Sequence, residues 1–395
     1  MQAKYEVAHV LRDQWKAIEK SVENKTLNTW QLRTLSALSK CRTSGLGGHI
    51  DGCSSCGKLR MSYNSCRNRH CTKCQGNERE EWIQAREKEL LPVGYFHVVF
   101  TFPSELNVLC MQHPRVMYAS LFDAAWATIN TFAKDDKHLG ATTGMISILH
   151  TWGQQITLHP HLHCIIPAGG LTKQGIWKNS KTNGNFLFPV KALSKVYRAK
   201  YFEHLRKHIA NYNSMYEKQI IIPKEVRDIC FKKEWVVYAK KPFSGVNSVI
   251  EYLGRYTHKV AISNHRITNI DEANQTITFK YKDYKTNESK KTMTLNSMEF
   301  IRRFALHILP KGFVRIRHYG ILSSTAKTKA IETIRKQLPE LKTPLKKHNA
   351  EPYNSLQCPC CKKETMIQLL NFDMRGPPKN WKLRAQQLLQ NLKIN

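Results

Sequence analysis

The stretch LHPHLHCII, from Leu158 to Ile166, combines closely spaced histidines with apolar residues. Successive side chains of a β-strand point to opposite faces, so alternate residues share one side of the sheet. We therefore expect one face of this strand to carry His159, His161 and His163. Leu162 points the other way, into a hydrophobic core. The pattern predicts a strand that is apolar on one face and lined with histidine on the other.

A fourth histidine, His150, lies in the preceding predicted strand, Met145 to Trp152. Neutral imidazoles set close together on one face suit a divalent metal ion. If the two strands pair, the side chain of His150 could complete a three-histidine site with His161 and His163. The alternative is a group of surface histidines, or a histidine whose hydrogen bonds are satisfied in the core. A HxHxH strand beside another histidine favours the metal site.

The surrounding sequence mixes strand and helix patterns irregularly. Further short runs of β-branched and aromatic residues predict strands at Tyr95 to Phe102, Glu234 to Ala239, Val260 to Ile267, Ile277 to Lys282, Thr292 to Leu295 and Val314 to His318. Helical patterns occur at Asn77 to Lys88, Val116 to Phe132, Val246 to Thr257 and Met298 to Leu309. The predicted strands and helices do not alternate regularly as in βαβ units, and the sequence contains no glycine-rich phosphate loop. The expected fold class is therefore α+β, with a mostly antiparallel sheet flanked by helices.

Two tyrosines, Tyr252 and Tyr256, lie four residues apart in EYLGRYTHKV. On a helix this spacing places both side chains on one face, among the cations Arg255, His258 and Lys259. A phenol is a weak nucleophile at neutral pH, and nearby cations with a metal-polarised phosphate would help it attack. The alternative is core packing, which is the commoner reason for tyrosines at helical spacing.

The cysteines predict a zinc-binding module near the N-terminus. Half of the twelve cysteines lie between Cys41 and Cys74, in a segment too poor in large apolar residues to build a core of its own. Two CxxC pairs separated by fourteen residues, Cys53 with Cys56 and Cys71 with Cys74, have the spacing of zinc ligands. The additional candidate ligands are Cys41, His49, Cys66 and His70. Eight candidates would suffice for two zinc ions, so one or two are expected.

A weaker cysteine signal, CPCC, contains Cys358, Cys360 and Cys361. Without an obvious second pair it is either half a metal site or a set of exposed thiols, and the second interpretation is favoured.

The residues that we expect to contact DNA are Arg67, Arg69, Arg255, Lys259, Arg315 and Arg317.

The net charge of +32 favours a polyanionic partner, because lysine and arginine contacts to phosphates release counterions. An anionic membrane is the rival partner, but the basic residues are spread along the chain instead of forming one cluster. No apolar run approaches the roughly 20 residues of a membrane span, and the N-terminus lacks the apolar core of a signal peptide. We expect nucleic acid as the partner, and no membrane.

The histidine and tyrosine motifs together predict one chemistry. A metal ion on the histidines would polarise a scissile phosphate. A tyrosine would then attack, become linked to the 5′ phosphate and leave a free 3′ hydroxyl. The phosphotyrosine conserves the bond energy, so the strand could be rejoined elsewhere without ATP.

These motifs resemble those of a known family. His161-Leu162-His163 matches the His-hydrophobic-His motif of the HUH endonucleases, and the tyrosine pair resembles that of their two-tyrosine rolling-circle transposases, the insertion sequence ninety-one family. The segment YNSCRNRHCTKCQ, from Tyr63 to Gln75, resembles the zinc module of that family. HPHLHCIIPAGGL and LPKGFVRIRHYGIL also resemble family blocks.

The resemblance implies a transposase that uses Mg²⁺ or Mn²⁺ to nick and join single-stranded DNA at the ends of its own mobile element. It implies an HUH-type sheet, no small-molecule cofactor and a prokaryotic cytoplasmic location, at the nucleoid when DNA is bound. By analogy with relaxases, it favours His150 over His159 as the third metal ligand. It does not indicate an oligomeric state.

The predicted organisation is an N-terminal helix and zinc module (1–88), a nuclease domain (89–324) with a helical insertion at about 171–230, and a basic C-terminal tail (325–395). Three alternatives to the transposase stay open. An HUH replication initiator or relaxase would have the same active site, a zinc-dependent DNA-binding protein would lack catalysis, and a hydrolytic metalloenzyme would form no covalent intermediate.

Overall fold

The computed structural model describes residues 3–24, 26–87, 89–181, 187–217, 219–240, 243, 248–249, 252, 259–283, 288–339 and 354–394. None of the helices within these residues is both long enough and apolar enough to cross a membrane.

The chain forms two compact units. The first contains Met1–Asn77, Ile262–Ala305 and Lys347–Asn395, and the second contains Glu78–Ala261 and Leu306–Lys346.

The described helices and strands are numbered in chain order. The helices are α1 (Val7–Asp13), α2 (Trp15–Glu23), α3 (Thr29–Lys40), α4 (Gln75–Glu87), α5 (Asn107–Gln112), α6 (Pro114–Lys134), α7 (Val190–Met215), α8 (Lys224–Lys232), α9 (Ser297–Ala305), α10 (Lys327–Arg335) and α11 (Trp381–Ile394). The strands are β1 (Gly48–Cys53), β2 (Leu59–Tyr63), β3 (Tyr95–Thr101), β4 (Gly144–Trp152), β5 (Leu158–Pro167), β6 (Gly169–Leu171), β7 (Trp177–Asn179), β8 (Val237–Lys240), β9 (Ile267–Asp271), β10 (Thr276–Asp283), β11 (Glu288–Asn296), β12 (Ile316–Gly320) and β13 (Met366–Phe372).

The second unit is built on a five-stranded sheet of order β12-β4-β5-β3-β8, in which every neighbouring pair is antiparallel. The predicted α+β class with an antiparallel sheet is therefore confirmed. The histidine strand, β5, lies at its centre between β4 and β3. Because both neighbours supply hydrogen bonds, the register of β5 is determined on both sides.

The two faces of this sheet carry different side chains. Leu162 of β5 is fully buried with Phe100 of β3, in a core to which α6 and α7 contribute Phe122 and Tyr197. The prediction that Leu162 points into the core is confirmed. On the opposite face, apolar residues such as Ile148 pack with Tyr252. The histidines share this second face because the strand alternates with period two.

The interval that was expected to be a helical insertion does contain α7 and α8. It begins, however, with part of a two-stranded β6–β7 hairpin. Tyr197 and Tyr201 of α7 are fully buried in the main core. This helix is therefore part of the core of the second unit instead of an addition to its surface.

The first unit contains two three-stranded antiparallel sheets, of order β13-β1-β2 and β11-β10-β9. The C-terminal strand β13 pairs with β1 from Gly48 to Cys53, and α11 packs against β1. These contacts place the last described segment in the same unit as the N-terminal cysteines. The unit boundaries therefore differ from the predicted division at 88 and 324.

Two segments have structures that the sequence did not predict. The C-terminal region, expected as a basic tail, contains β13 and α11. The predicted strand from Val260 to Ile267 is also absent from the described residues, since β9 begins only at Ile267 and a 3₁₀ turn occupies Asn264–Arg266. The polar residues Ser263 and Asn264 interrupt the apolar run and lead into that turn.

Gly320 ends β12 and fixes how closely this strand approaches β4. Its φ angle is +59°, in the region that favours glycine. A Cβ atom here would lie 2.0 Å from the carbonyl oxygen of Thr143 and 2.7 Å from Trp126. Both the backbone angle and the close approach therefore require glycine.

We expect Gly320→Ala to destabilise the second unit by about 3 kcal/mol or more, because a backbone clash adds to the cost of the left-handed conformation. Gly312 is the matched control, since its φ is +73° but a Cβ would meet nothing within 4 Å. Gly312→Ala should cost only about 1–2 kcal/mol. Thermal unfolding of both variants measures the difference, and equal midpoints would contradict the clash.

Candidate active site and metal centres

His150, His161 and His163 come together on the histidine face of the central sheet. His150 of β4 lies directly opposite His161 of β5, and His163 follows two residues later on the same face. One nitrogen from each imidazole lies within 4.8 Å of the others. The exposed side chain of His159 is not part of this group. The strand pairing thus selects His150 as the third member.

The spacing of the three imidazoles fits a metal ion. The Nε2 atoms of His161 and His163 lie 3.1 Å apart. Two nitrogens bound to one ion at about 2.1 Å are separated by roughly 3.0 to 3.4 Å. The Nδ1–H of His161 donates to the carbonyl oxygen of His159 at 2.7 Å, so its Nε2 would be the atom that binds a metal ion.

Burial keeps His161 in the form that binds metal. Removal from solvent lowers the pKa of His161 to about 4, with smaller contributions from neighbouring charges that include Lys259. The imidazole is therefore neutral at physiological pH, and its lone pair is available as a ligand.

Tyr252 joins this site through its hydroxyl group. The side chain is buried, and its oxygen lies 2.7 Å from Nδ1 of His163 and 2.6 Å from Nε2 of His97. If Nε2 of His163 binds the ion, its Nδ1 carries hydrogen and donates to Tyr252. The hydroxyl then donates to Nε2 of His97.

His97 is the functional candidate that the sequence analysis missed. It lies on β3, is 3% exposed, and its Nε2 is 2.9 Å from Nδ1 of His163. Its strand, YFHVVFT, is otherwise almost entirely apolar. A histidine inside such a strand was the available signal, because only a hydrogen-bonding partner on the same face makes its burial favourable.

The remaining predicted residues of this unit have different environments. Tyr256 and Arg255 lie outside the described residues, and Lys259 is exposed. Arg315 is 8% exposed and donates to the carbonyl oxygens of Leu149 and Lys259. Arg317 lies over the ring of Phe122 at 4.3 Å. Both arginines are therefore engaged within the protein.

One predicted group of zinc ligands is found with a different membership. Cys41, Cys66, Cys71 and Cys74 form a tetrad, in which the Sγ atoms of Cys41 and Cys74 lie 3.5 Å apart. Sulfurs around a tetrahedral zinc ion are separated by about 3.8 Å, whereas disulfide sulfurs lie about 2.05 Å apart. The geometry therefore fits zinc, and none of the twelve cysteines forms a disulfide.

Cys53 and Cys56 belong to a second tetrad, which the spacing of the two CxxC pairs did not predict. Their partners are Cys358 and Cys361. The preference for exposed thiols in the CPCC motif was wrong, since only Cys360 lies outside the tetrad. The Cys358-x-x-Cys361 spacing inside this motif was the overlooked signal.

Two predicted histidine ligands are not in either tetrad. His49 lies on β1, where its Nε2 is 3.6 Å from a carboxylate oxygen of Asp51. His70 is partly buried in the loop before Cys71. In the same loop Arg67 is exposed with a φ of +47°, and burial lowers the pKa of Arg69.

Comparisons with known proteins identify related transposases. One family model, described as "Transposase zinc-binding domain", matches residues 10–102, and another, described as "Putative transposase", matches residues 144–330. The protein named "Putative transposase y4qJ" from Sinorhizobium fredii (strain NBRC 101917 / NGR234) is 39% identical over 395 residues, covering 95% of this chain and 98% of that protein. The transposase for insertion sequence element IS801 from Pseudomonas savastanoi pv. phaseolicola is 28% identical over 318 residues, covering 77% of this chain and 73% of that protein. No solved structure matches.

The turn between β4 and β5 is contacted by another buried histidine, His307. It is hydrogen-bonded to the Thr151 hydroxyl at 3.1 Å and to the carbonyl oxygen of Ile156 at 3.1 Å. Ile156 has a φ of +58°, which is strained for a β-branched residue, so this contact supports the turn. Burial lowers the pKa of His307 to about 4.

We expect His307 to make the second unit sensitive to acid. Its folded pKa is below the unfolded value near 6.5, so its stabilising contribution is complete above pH 6.5 and is lost as the pH falls towards 4. The loss should amount to about 3 kcal/mol. Chemical unfolding of the wild type and of His307→Gln at pH 7 and pH 4.5 measures it. The variant should show a smaller loss, and equal losses would contradict the assignment.

Proposed function

This chain belongs to the IS91 (insertion sequence ninety-one) family of transposases, and on that basis we propose that it nicks and rejoins single-stranded DNA at the ends of its own mobile element. Transposases bind DNA and transfer strands. The observation that carries the finer proposal is one hydrogen-bonded group, in which Tyr252 contacts an imidazole of the His150, His161 and His163 triad.

The triad would hold the catalytic divalent ion. When bound, such an ion polarises the scissile phosphate and stabilises the charge that develops on it. The sequence leads us to propose Mn²⁺ or Mg²⁺. The all-imidazole ligand set favours Mn²⁺, because Mg²⁺ prefers oxygen ligands.

We assign the nucleophile to the pair Tyr252 and Tyr256. The phenolic oxygen attacks the phosphorus, the bond to the 3′ oxygen breaks, and that oxygen leaves as a 3′ hydroxyl after taking up a proton. The DNA remains attached through a 5′-phosphotyrosine, which a later 3′ hydroxyl can attack to rejoin the strand. A second tyrosine would permit a second transfer before the first strand is released.

His97 would orient the Tyr252 hydroxyl and accept its hydrogen. The distance of 2.6 Å between Tyr252 and His97 is that of a strong hydrogen bond. Because this hydroxyl is buried and bonded to two imidazoles, Tyr252 also holds the ring of His163 in place. Tyr252 therefore has a supporting task in addition to its proposed nucleophilic one.

The charge of the protein fits a DNA strand as partner. The net charge of +32 provides the sequence-independent part of the affinity. Exposed cations such as Arg67 and Lys259 are accessible to phosphates. Arg315 and Arg317 are proposed to support the site from within the sheet. We expect the enzyme to act in the cytoplasm of a prokaryotic cell, where its DNA lies.

Incubation with a labelled single-stranded oligonucleotide of the element end and Mn²⁺ should give a covalent adduct on a denaturing gel. The double variant Tyr252→Phe, Tyr256→Phe should give none, and mass spectrometry of the wild-type adduct should identify the linked tyrosine.

His161→Ala should lower the yield of the adduct by at least about 100-fold. His159→Ala is the matched control and should react normally, since its side chain lies outside the triad. Absence of any adduct with correct DNA would instead support a zinc-dependent DNA-binding protein.

His97→Ala should slow adduct formation about 100-fold, because the phenol loses its hydrogen-bond acceptor. The dissociation constant for the oligonucleotide should stay unchanged, since His97 is buried in the protein. Single-turnover rates and binding isotherms separate the two effects. An unchanged rate would remove His97 from the mechanism.

A further inference from the structure

The C-terminal segment is joined to the N-terminal zinc module by a sheet. Strand β1 lies between β2 and β13, and Cys53, its last residue, is opposite Met366, the first residue of β13. Without β13 the strand β1 would have an unpaired edge. The C-terminal segment therefore completes the sheet that carries the first cysteines of the module.

The second cysteine tetrad lies where these two strands meet. The Sγ atoms of Cys53 and Cys361 are 3.6 Å apart, and those of Cys56 and Cys358 are also 3.6 Å apart. Both distances approach the roughly 3.8 Å edge of a tetrahedral zinc–thiolate site and exclude a disulfide. Each chain segment thus contributes one CxxC pair to a common centre.

Backbone hydrogen bonds show that both CxxC turns are shaped for thiolates. The amide of Cys56 donates to Sγ of Cys53 at 3.3 Å, and the amide of Cys360 donates to Sγ of Cys358 at 3.4 Å. Amide donors stabilise a negatively charged sulfur. The first tetrad has the same feature, with an amide-to-sulfur bond from Lys73 to Cys71 at 3.4 Å.

Within the described residues, the apolar packing immediately around the four cysteines of the second tetrad is small. The described apolar cluster there consists of Cys53, Cys358 and Met366, with Cys361 packed against it. A guanidinium nitrogen of Arg60 binds both Asp51 and the carbonyl oxygen of Ser355 at 2.8 Å. So small a core would give little stability, which is the situation in which proteins use structural zinc.

We propose that Cys53, Cys56, Cys358 and Cys361 bind a second zinc ion, which fastens β13 and α11 to the N-terminal zinc module. Two of its ligands lie beyond the residues 10–102 that match the zinc-binding family model. The ion is structural, because all four ligand positions are occupied by protein. The C-terminal segment is therefore a component of the zinc module, although about 300 residues separate the two pairs of ligands.

Metal analysis of the purified full chain tests the proposal. With His161→Ala in both proteins to remove the histidine triad as a metal site, the wild-type tetrads should hold two zinc ions, and the double variant Cys358→Ser, Cys361→Ser should hold one. The zinc ion retained at Cys41, Cys66, Cys71 and Cys74 shows that the rest of the module is folded. Cys360→Ser is the matched control, since this exposed cysteine lies between the two ligands and should leave both ions in place.

Limited trypsin digestion provides the second measurement. The double variant should release C-terminal fragments at least about tenfold faster than the wild type, because the segment can detach locally. Cys360→Ser should match the wild type. One zinc ion in the protein with wild-type tetrads, or two in the double variant, would overturn the proposal. Equal digestion rates in the wild type and the double variant would overturn the fastening role.

Discussion

The pairing of β4 with β5 is the interaction on which the second unit depends. It places His150 opposite His161 and brings His163 to the same side. Because side chains alternate with period two, a register shift of one residue in β5 would turn His161 and His163 towards the core of α6 and α7 and place Leu162 on the histidine face. The register of the β4–β5 ladder therefore determines both which side chains are buried against α6 and α7 and whether the three histidines can form a metal site.

Much of this arrangement could be predicted from local patterns. The alternation in LHPHLHCII places the histidines on one face without knowledge of the fold. Selection of His150 required only that consecutive strands pair, which is common in antiparallel sheets. By contrast, the contribution of His97 depends on the pairing of β3 with the other edge of β5. The spacing of residues along the chain does not predict that pairing.

Partners that are distant in sequence were the harder part. CxxC pairs are easy to find in the sequence, but their assignment to metal centres is not. The spacing shows which two cysteines can bind one ion together, but it does not show which pairs come together in the fold. Cys53 is closer in sequence to Cys71 than to Cys358, yet β13 brings the distant pair to it. Positive charge likewise does not show where a side chain lies, since the guanidinium of Arg315 binds backbone carbonyl oxygens inside the protein.

The second tetrad has a consequence for the order in which the protein matures. Half of its ligands are made early in translation and the other half near the end, so the centre can close only after Cys361 has left the ribosome. An incomplete chain would carry Cys53 and Cys56 with no matching thiolates and β1 with an open edge. Premature termination would therefore impair the N-terminal module as well as remove the C-terminus, and only a chain translated through Cys361 could assemble this part of the transposase.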